Sequence, residues 1–290
     1  MNGAVSARLP DGRLHLQHGP IDLIIEARGD RHEVEAAYAQ ARARFDGVLE
    51  ALVEELPLLR APVGAEFPIA RGPVARRMVA AVWPHRADFI TPMAAVAGAV
   101  ADEILAALLE GRRLASAFVN NGGDIAVHVA PGARLDAGVV ANPAAPAIDA
   151  TVRLDRPCGL ATSGWRGRSQ SLGIADAATV LARNAAEADA AATLVANAVN
   201  AEHPAIGRRP ARALKEDSDL GGLPVTVGVG PLPRHAVEAA LDSGLRTAAA
   251  MRERGLLGAA WLALQGRTRI LLPTIDEKGV PPCLSLDAIH

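Results

Sequence analysis

Ser116–Val129 reads SAFVNNGGDIAVHV. Two short apolar runs, SAFVN and DIAVHV, flank the pair Gly122-Gly123, and glycine tolerates the positive φ that a tight two-residue hairpin demands. The stretch therefore predicts neighbouring antiparallel strands. Further short runs, LDAGVVAN from Leu135 and TVRLDR from Thr151, extend them into an antiparallel sheet. Upstream, IDLIIEAR (Ile21–Arg28) follows the turn signal His18-Gly19-Pro20 and reads as a buried strand. Helices surround these runs. Val34, Tyr38, Ala41, Phe45, Val48, Leu49, Leu52 and Leu56 form one apolar stripe, predicting a long helix from Asp30 that ends before Pro57. A second helix is expected over about Val74 to Val82 and a third over Pro92 to Leu109. Beyond the sheet, Asn184 to Val199 predicts an alanine-rich helix with Asn184 as its N-cap. Asn200 to Gly222 reads as a long exposed loop. A strand (PVTVGVG, from Pro224), a helix (Pro233 to Glu253) and a hairpin turning near Gln265-Gly266 complete the chain. The fold class is α+β, an antiparallel sheet with packed helices, expected as one domain over residues 1–290 or as two interleaved lobes within it.

Composition narrows the function classes. Half of the 290 residues are apolar, ample for a core, and 30 basic against 32 acidic side chains leave no basic tract for nucleic acid. Cys158 and Cys283 lie far apart and outside any CxxC pair, so two reduced thiols are expected rather than a zinc or disulfide framework. The N-terminal MNGAVSARLPDGRLHLQHG lacks the basic start and apolar stretch of a secretory signal, and the expectation is cytoplasmic. Asp102 and Glu103 interrupt the apolar Pro92–Leu109 segment, which is read as a core helix with no membrane span. Aromatic residues make up 3% of the chain, so a flat ligand would be lined mostly by backbone and small side chains.

Four groups of residues carry candidate chemistry. Asp189 and Thr193 stand at i and i+4 on the predicted helix, so their oxygens project from one face and suit a hard cation such as Mg²⁺; otherwise Asp189 is a surface acid favoured by the helix dipole and Thr193 is packed. Thr162, Ser163 and Gly164 are read as a small-residue turn followed by Arg166 and Arg168. Its amides and the guanidinium fork suit a pyrophosphate, and a plain solvated turn is the other reading. Asn121, Gly122, Gly123 and Asp124 let a ligand approach the sheet closely or make an ordinary hairpin. Asp176 is a second acid near the site or a strand-end aspartate. His85 and His128 read as structural histidines.

VNNGGDIAVHV (Val119–Val129), GLATSGWRGR (from Gly159) and EADAAATLVANAV (Glu187–Val199) resemble, in order and spacing, the NxGGD segment, the TSG segment and the ADAxAT helix of the ApbE superfamily. Characterised members are magnesium-dependent FAD:protein FMN transferases, which move the FMN half of FAD to a threonine of a target protein. The resemblance spans about Ser116 to Asn200, and the whole chain looks like the short, unexported branch of that group. It implies an ApbE-like fold, FAD as substrate or ligand, Mg²⁺ held by Asp189 and Thr193, and flavin contacts from Asn121, Gly122, Gly123, Asp124, Thr162, Ser163, Gly164 and Arg166. It also leaves room for FAD hydrolysis, or for a non-catalytic flavin-binding module that serves a redox-enzyme partner. One departure bears on activity. Known transferases carry a histidine-containing, HxxDP-like strand between the last two segments, whereas SLGIADAATVLA (Ser171–Ala182) has neither histidine nor proline.

Overall fold

The computed structural model describes residues 3–140 and 147–272, together with the backbone of 286–288. In chain order its elements are β1 (Val5–Arg8), β2 (Leu14–His18), β3 (Ile21–Gly29), α1 (Arg31–Phe45), α2 (Val48–Glu54), α3 (Leu56–Leu59), α4 (Pro73–Val82), α5 (Val96–Leu109), β4 (Leu114–Asn121), β5 (Asp124–Val129), β6 (Leu135–Val139), β7 (Ala150–Leu154), β8 (Cys158–Ser163), β9 (Ala177–Ala182), α6 (Ala185–Ala198), β10 (Ile206–Pro210), β11 (Pro224–Val229), α7 (Arg234–Glu253), β12 (Ala259–Leu264), β13 (Arg267–Leu271) and β14 (Leu286–Ala288). The class is α+β, with antiparallel strand pairing throughout the registered ladders. Two compact units divide the chain: residues 1–135, 154–161 and 182–190 form one, and residues 136–153, 162–181 and 191–290 the other.

In the first unit the strands run β1-β2-β3-β4-β5-β8. Alternation along β3 buries Leu23, Ile25 and Ala27, and the cross-strand partners Ile25, Val119 and Ala126 carry that face across the ladder. Tyr38 and Phe45 of α1, Met78 of α4 and Ile104 and Leu108 of α5 are among the fully buried side chains of this unit. Asn121 pairs with Asp124 around Gly122 and Gly123, whose φ values of +67° and +114° are those a tight two-residue hairpin requires. Among the described residues, Pro92–Leu109 is the one stretch long and apolar enough to cross a membrane by length and composition. In this structure it packs against α1, α4, β4 and β5.

Two expectations need correction here. The long helix from Asp30 is broken: Gly47 takes φ +77°, which ends α1 and starts α2, and Pro57 sits in the first turn of α3, where its missing N–H costs nothing. Asn200 to Gly222 is not an open loop, since β10 pairs with β11 in register Arg209↔Val225 and Ala211–Ala213 forms a 3-10 turn. The N-terminal residues, given no structure from sequence, form β1 and β2 around Asp11-Gly12. In the second unit β9, β12 and β13 form an antiparallel ladder on which α7 packs, and Gln265-Gly266 turns the last hairpin with positive φ at both residues. Cys158 is buried, while Cys283 and the end of the LDAGVVAN run lie outside the described residues.

Candidate functional site

Helix α5 starts at Val96 behind Ala95, a residue with no capping side chain. Its first-turn amides need acceptors, and the carboxylate of Asp189 on α6 supplies them. The Gly98 amide donates to Asp189 Oδ2 at 3.1 Å and the Ala97 amide donates to the same carboxylate. The arrangement is returned in kind. Asp102, in the second turn of α5, accepts from the first two amides of α6, Ala185 N at 3.0 Å and Ala186 N at 2.9 Å. Gly98 is what lets the two helix starts come so close, since a Cβ there would lie 2.2 Å from the carbonyl oxygen of Ala185. Asn184 caps α6 from within, its Oδ1 accepting from the Glu187 amide at 2.9 Å, as its position in the sequence predicts.

The β4–β5 hairpin reaches the same turn of α5. Asn121 Nδ2 donates to the carbonyl of Ala97 at 3.1 Å, and Asn120 Oδ1 braces the hairpin by accepting from the Gly123 amide at 2.8 Å. Burial pushes the Asp189 carboxyl well above the usual carboxylate range, the negative charge of Asp124 pushes it further, and the Gly98 and Ala97 amides only partly oppose them. Asp102 is raised as well, chiefly by burial, against the pull of the Ala186 and Ala185 amides and of Arg77. Asn121, Asp124 and Asp189, chosen separately from the sequence, therefore converge on the start of α5. Thr193 lies one turn beyond Asp189 on α6, and Ala190, Ala191 and Ala192 between them are buried. Among the described residues no group of three or more His, Cys, Asp or Glu side chains converges on a metal position. A cation here would draw on hydroxyl, carbonyl or ligand oxygens beside the carboxylates.

Within the second unit, Thr162 and Ser163 end strand β8 rather than lying in a turn, and the turn begins at Gly164. Gly164 is required there because a Cβ would stand 2.6 Å from the carbonyl oxygen of Asp176 and 2.8 Å from that of Ala175. Thr162 Oγ1 and Thr179 Oγ1 share a hydrogen bond of 2.8 Å. Asp176, weighed as a second acid, gathers three donors. Trp165 Nε1 at 3.1 Å and Arg166 Nε at 2.7 Å donate to Oδ1, and the Gln265 amide donates to Oδ2 at 2.6 Å. Arg166 also stacks over the Trp165 ring at 4.5 Å. A carboxylate so engaged ties the turn after β8 to the last hairpin.

Sequence reasoning missed Asp102, Ala97 and Gly98. In the sequence Asp102 reads only as an interruption of an apolar helix. Asp102 stands between Ala101 and Glu103 in the apolar run, and that pattern does not record the distant backbone amides it accepts from.

Fold and site together define an α+β protein with a carboxylate pair at a helix start beside an Asn-Gly-Gly-Asp hairpin. The family model described as AbpE bacteria matches residues 6–270, and the chain belongs to that family. No curated protein matches it. Among solved structures it is similar to the ApbE protein from Thermotoga maritima MSB8, at 15% identity and a TM-score of 0.38, covering 84% of this chain and 76% of that one. It is similar to the apo form of the flavinyl transferase ApbE from Pseudomonas stutzeri, at 12% identity and a TM-score of 0.41 over 92% of each chain. A variant of the flavin transferase ApbE from Vibrio cholerae matches at 10% identity and a TM-score of 0.42, over 96% of this chain and all of that one (100%). These superpositions are too loose to bear on activity.

Proposed function

We propose that this chain acts on FAD or a related pyrophosphate nucleotide with Mg²⁺, either transferring FMN to a protein or hydrolysing FAD, in a cytoplasmic setting. Membership of the AbpE bacteria family supports the flavin. The observation that carries the cation is that Asp189 and Asn121 both bond the first turn of α5 while Asp124, the cross-strand partner of Asn121, acts on the Asp189 carboxyl with its negative charge, a repulsion a divalent ion would relieve. The donor set fits Mg²⁺, which prefers hard oxygens and few protein ligands, with Asp189 and Thr193 as its holders and Asp124 as its charge partner. Bound there, the ion would neutralise charge on a phosphate oxygen. The chain's own groups do the rest. The start of α5 adds a positive dipole end, and Gly122 and Gly123 leave the hairpin bare for close approach. In the second unit, Thr162, Ser163, the Gly164 amide and the Nη groups of Arg166 offer donors suited to phosphate.

A second reading, a flavin-binding module that serves a redox enzyme, is favoured by Asp176. The segment Ser171–Ala182 contains no histidine, and its one acid is saturated by Trp165, Arg166 and Gln265. Calorimetric titration with FAD, FMN, ADP and NAD, with and without Mg²⁺, tests the ligand class; a Kd on the order of micromolar for FAD is expected. Buffer-like heats for all four with Mg²⁺ present would remove the flavin. Chromatography of FAD after incubation with protein and Mg²⁺ then separates the readings: release of FMN and AMP makes it an enzyme, and unchanged FAD under tight binding makes it a module.

A further inference from the structure

We infer that Asp102 is a positioning residue that sets where Asp189 stands, through a closed ring of amide-to-carboxylate hydrogen bonds between α5 and α6. The ring has four members. Ala97 and Gly98 donate to Asp189; one turn of α6 separates Asp189 from Ala185 and Ala186; these donate to Asp102; and one turn of α5 separates Asp102 from Gly98. Each helix start is thus capped by an acid from the other helix. An α-helical turn is stiff on this scale, about 5.4 Å of rise, so a shift at one cap is passed to the other.

Two details argue that Asp102 does more than terminate α6. First, α6 already has a side-chain cap in Asn184, which serves the Glu187 amide, so the carboxylate of Asp102 adds a second tie, from α5, to the two amides before it. Second, Asp102 spends both oxygens on consecutive amides, Oδ1 on Ala185 and Oδ2 on Ala186, which fixes the distance and the rotation of α6 relative to α5. Gly98 at the crossing removes the side chain that would otherwise hold the backbones apart. What Asp102 governs is therefore the placement of the next acid along α6, Asp189. The geometric coupling stands without any ligand; its consequence for Mg²⁺ rests on the function proposed above.

The test is residue-resolved amide exchange on the full chain, comparing wild type with Asp102→Asn, Asp102→Glu and the control Asn184→Ala. Asp102→Asn is expected to accelerate exchange roughly tenfold or more at Ala185 and Ala186 and also at Ala97 and Gly98, which it does not touch. Asp102→Glu, which keeps the charge and should fold even if the Asn variant does not, is expected to do the same to a smaller degree. Asn184→Ala should affect Glu187 and leave Ala97 and Gly98 alone. Acceleration confined to Ala185 and Ala186 in both Asp102 variants would overturn the inference and reduce Asp102 to a local cap. A titration with Mg²⁺ alone then reads the consequence: the Asp102 variants should bind on the order of tenfold more weakly than wild type. Equal affinity in wild type and variants would overturn the link to the metal. A wild type blind to Mg²⁺ would instead remove the cation reading of Asp189, with the exchange result still deciding the role of Asp102.

Discussion

Glu103 shows how a charge is kept inside the apolar α5. Burial by itself would raise its carboxyl, but Arg77 Nε at 2.8 Å and Arg44 Nε at 2.9 Å each take one oxygen and together hold it below the usual range. With the folded value depressed, the ionised form contributes stability above the unfolded value, and that contribution is lost as pH falls through the folded one. Glu103→Gln should therefore cost roughly 1–3 kcal/mol at neutral pH, a range already reduced for the part-exposed arginines. The gap to wild type should close below about pH 4. Denaturant melts of both proteins across that range are the check, and a gap independent of pH would assign the loss to packing. Asp189 has the opposite sign. Its folded value is raised, so stability is fully present below the unfolded value and is lost as pH rises through the folded one. Asp189→Asn keeps an oxygen for the Gly98 amide but drops the charge facing Asp124. Without metal it should melt higher than wild type at neutral pH, by on the order of 1 kcal/mol, and the two melting curves should approach each other on acidification.

At the scale of elements, the contact between α5 and α6 depends on a missing side chain. Gly98→Ala would drive a Cβ to 2.2 Å from the Ala185 carbonyl oxygen, and backbone cannot swing aside as a flexible side chain can. The expected cost is roughly 1–3 kcal/mol or more, read by thermal melting. Gly111→Ala gives the contrast, because the space at that Cβ is open and only its positive φ of +67° resists. Much of the element pattern was legible. DIAVHV occupies the strand its apolar run predicts, the Gly122-Gly123 pair turns the hairpin, and Asn184 caps the helix it precedes. Periodicity misled at Gly47, since an apolar stripe continues through a break that only the glycine's left-handed backbone reveals. The reciprocal caps were not legible at all. They join residues 83 to 91 positions apart through backbone amides, which every residue but proline possesses and no side-chain pattern records.

For the molecule as a whole, the proposed action on a flavin nucleotide with Mg²⁺ draws its support from membership of the AbpE bacteria family and from the acids Asp189 and Asp124, while the segment from Ser171 to Ala182 argues against fast protein flavinylation. Transfer of FMN from FAD to a threonine-containing peptide is accordingly expected to be absent, or slower than an ordinary transferase by on the order of 10²–10⁴, the usual effect of losing a positioned proton-transfer group. A covalently flavinylated peptide formed at normal enzyme rates would show that some other residue fills that role. The three motifs that marked the candidate residues in the sequence were legible because side-chain identity carries them. The engagement of Asp176 by Trp165, Arg166 and Gln265 was not, because Gln265 contributes only its backbone N–H from 89 residues away. The most direct test of the central claim is the thermal shift that Mg²⁺ and FAD together produce in wild type and in Asp189→Ala. A wild-type shift that vanishes in Asp189→Ala, with the unliganded variant still folded, is the predicted result; a shift that survives undiminished in the variant would contradict the account.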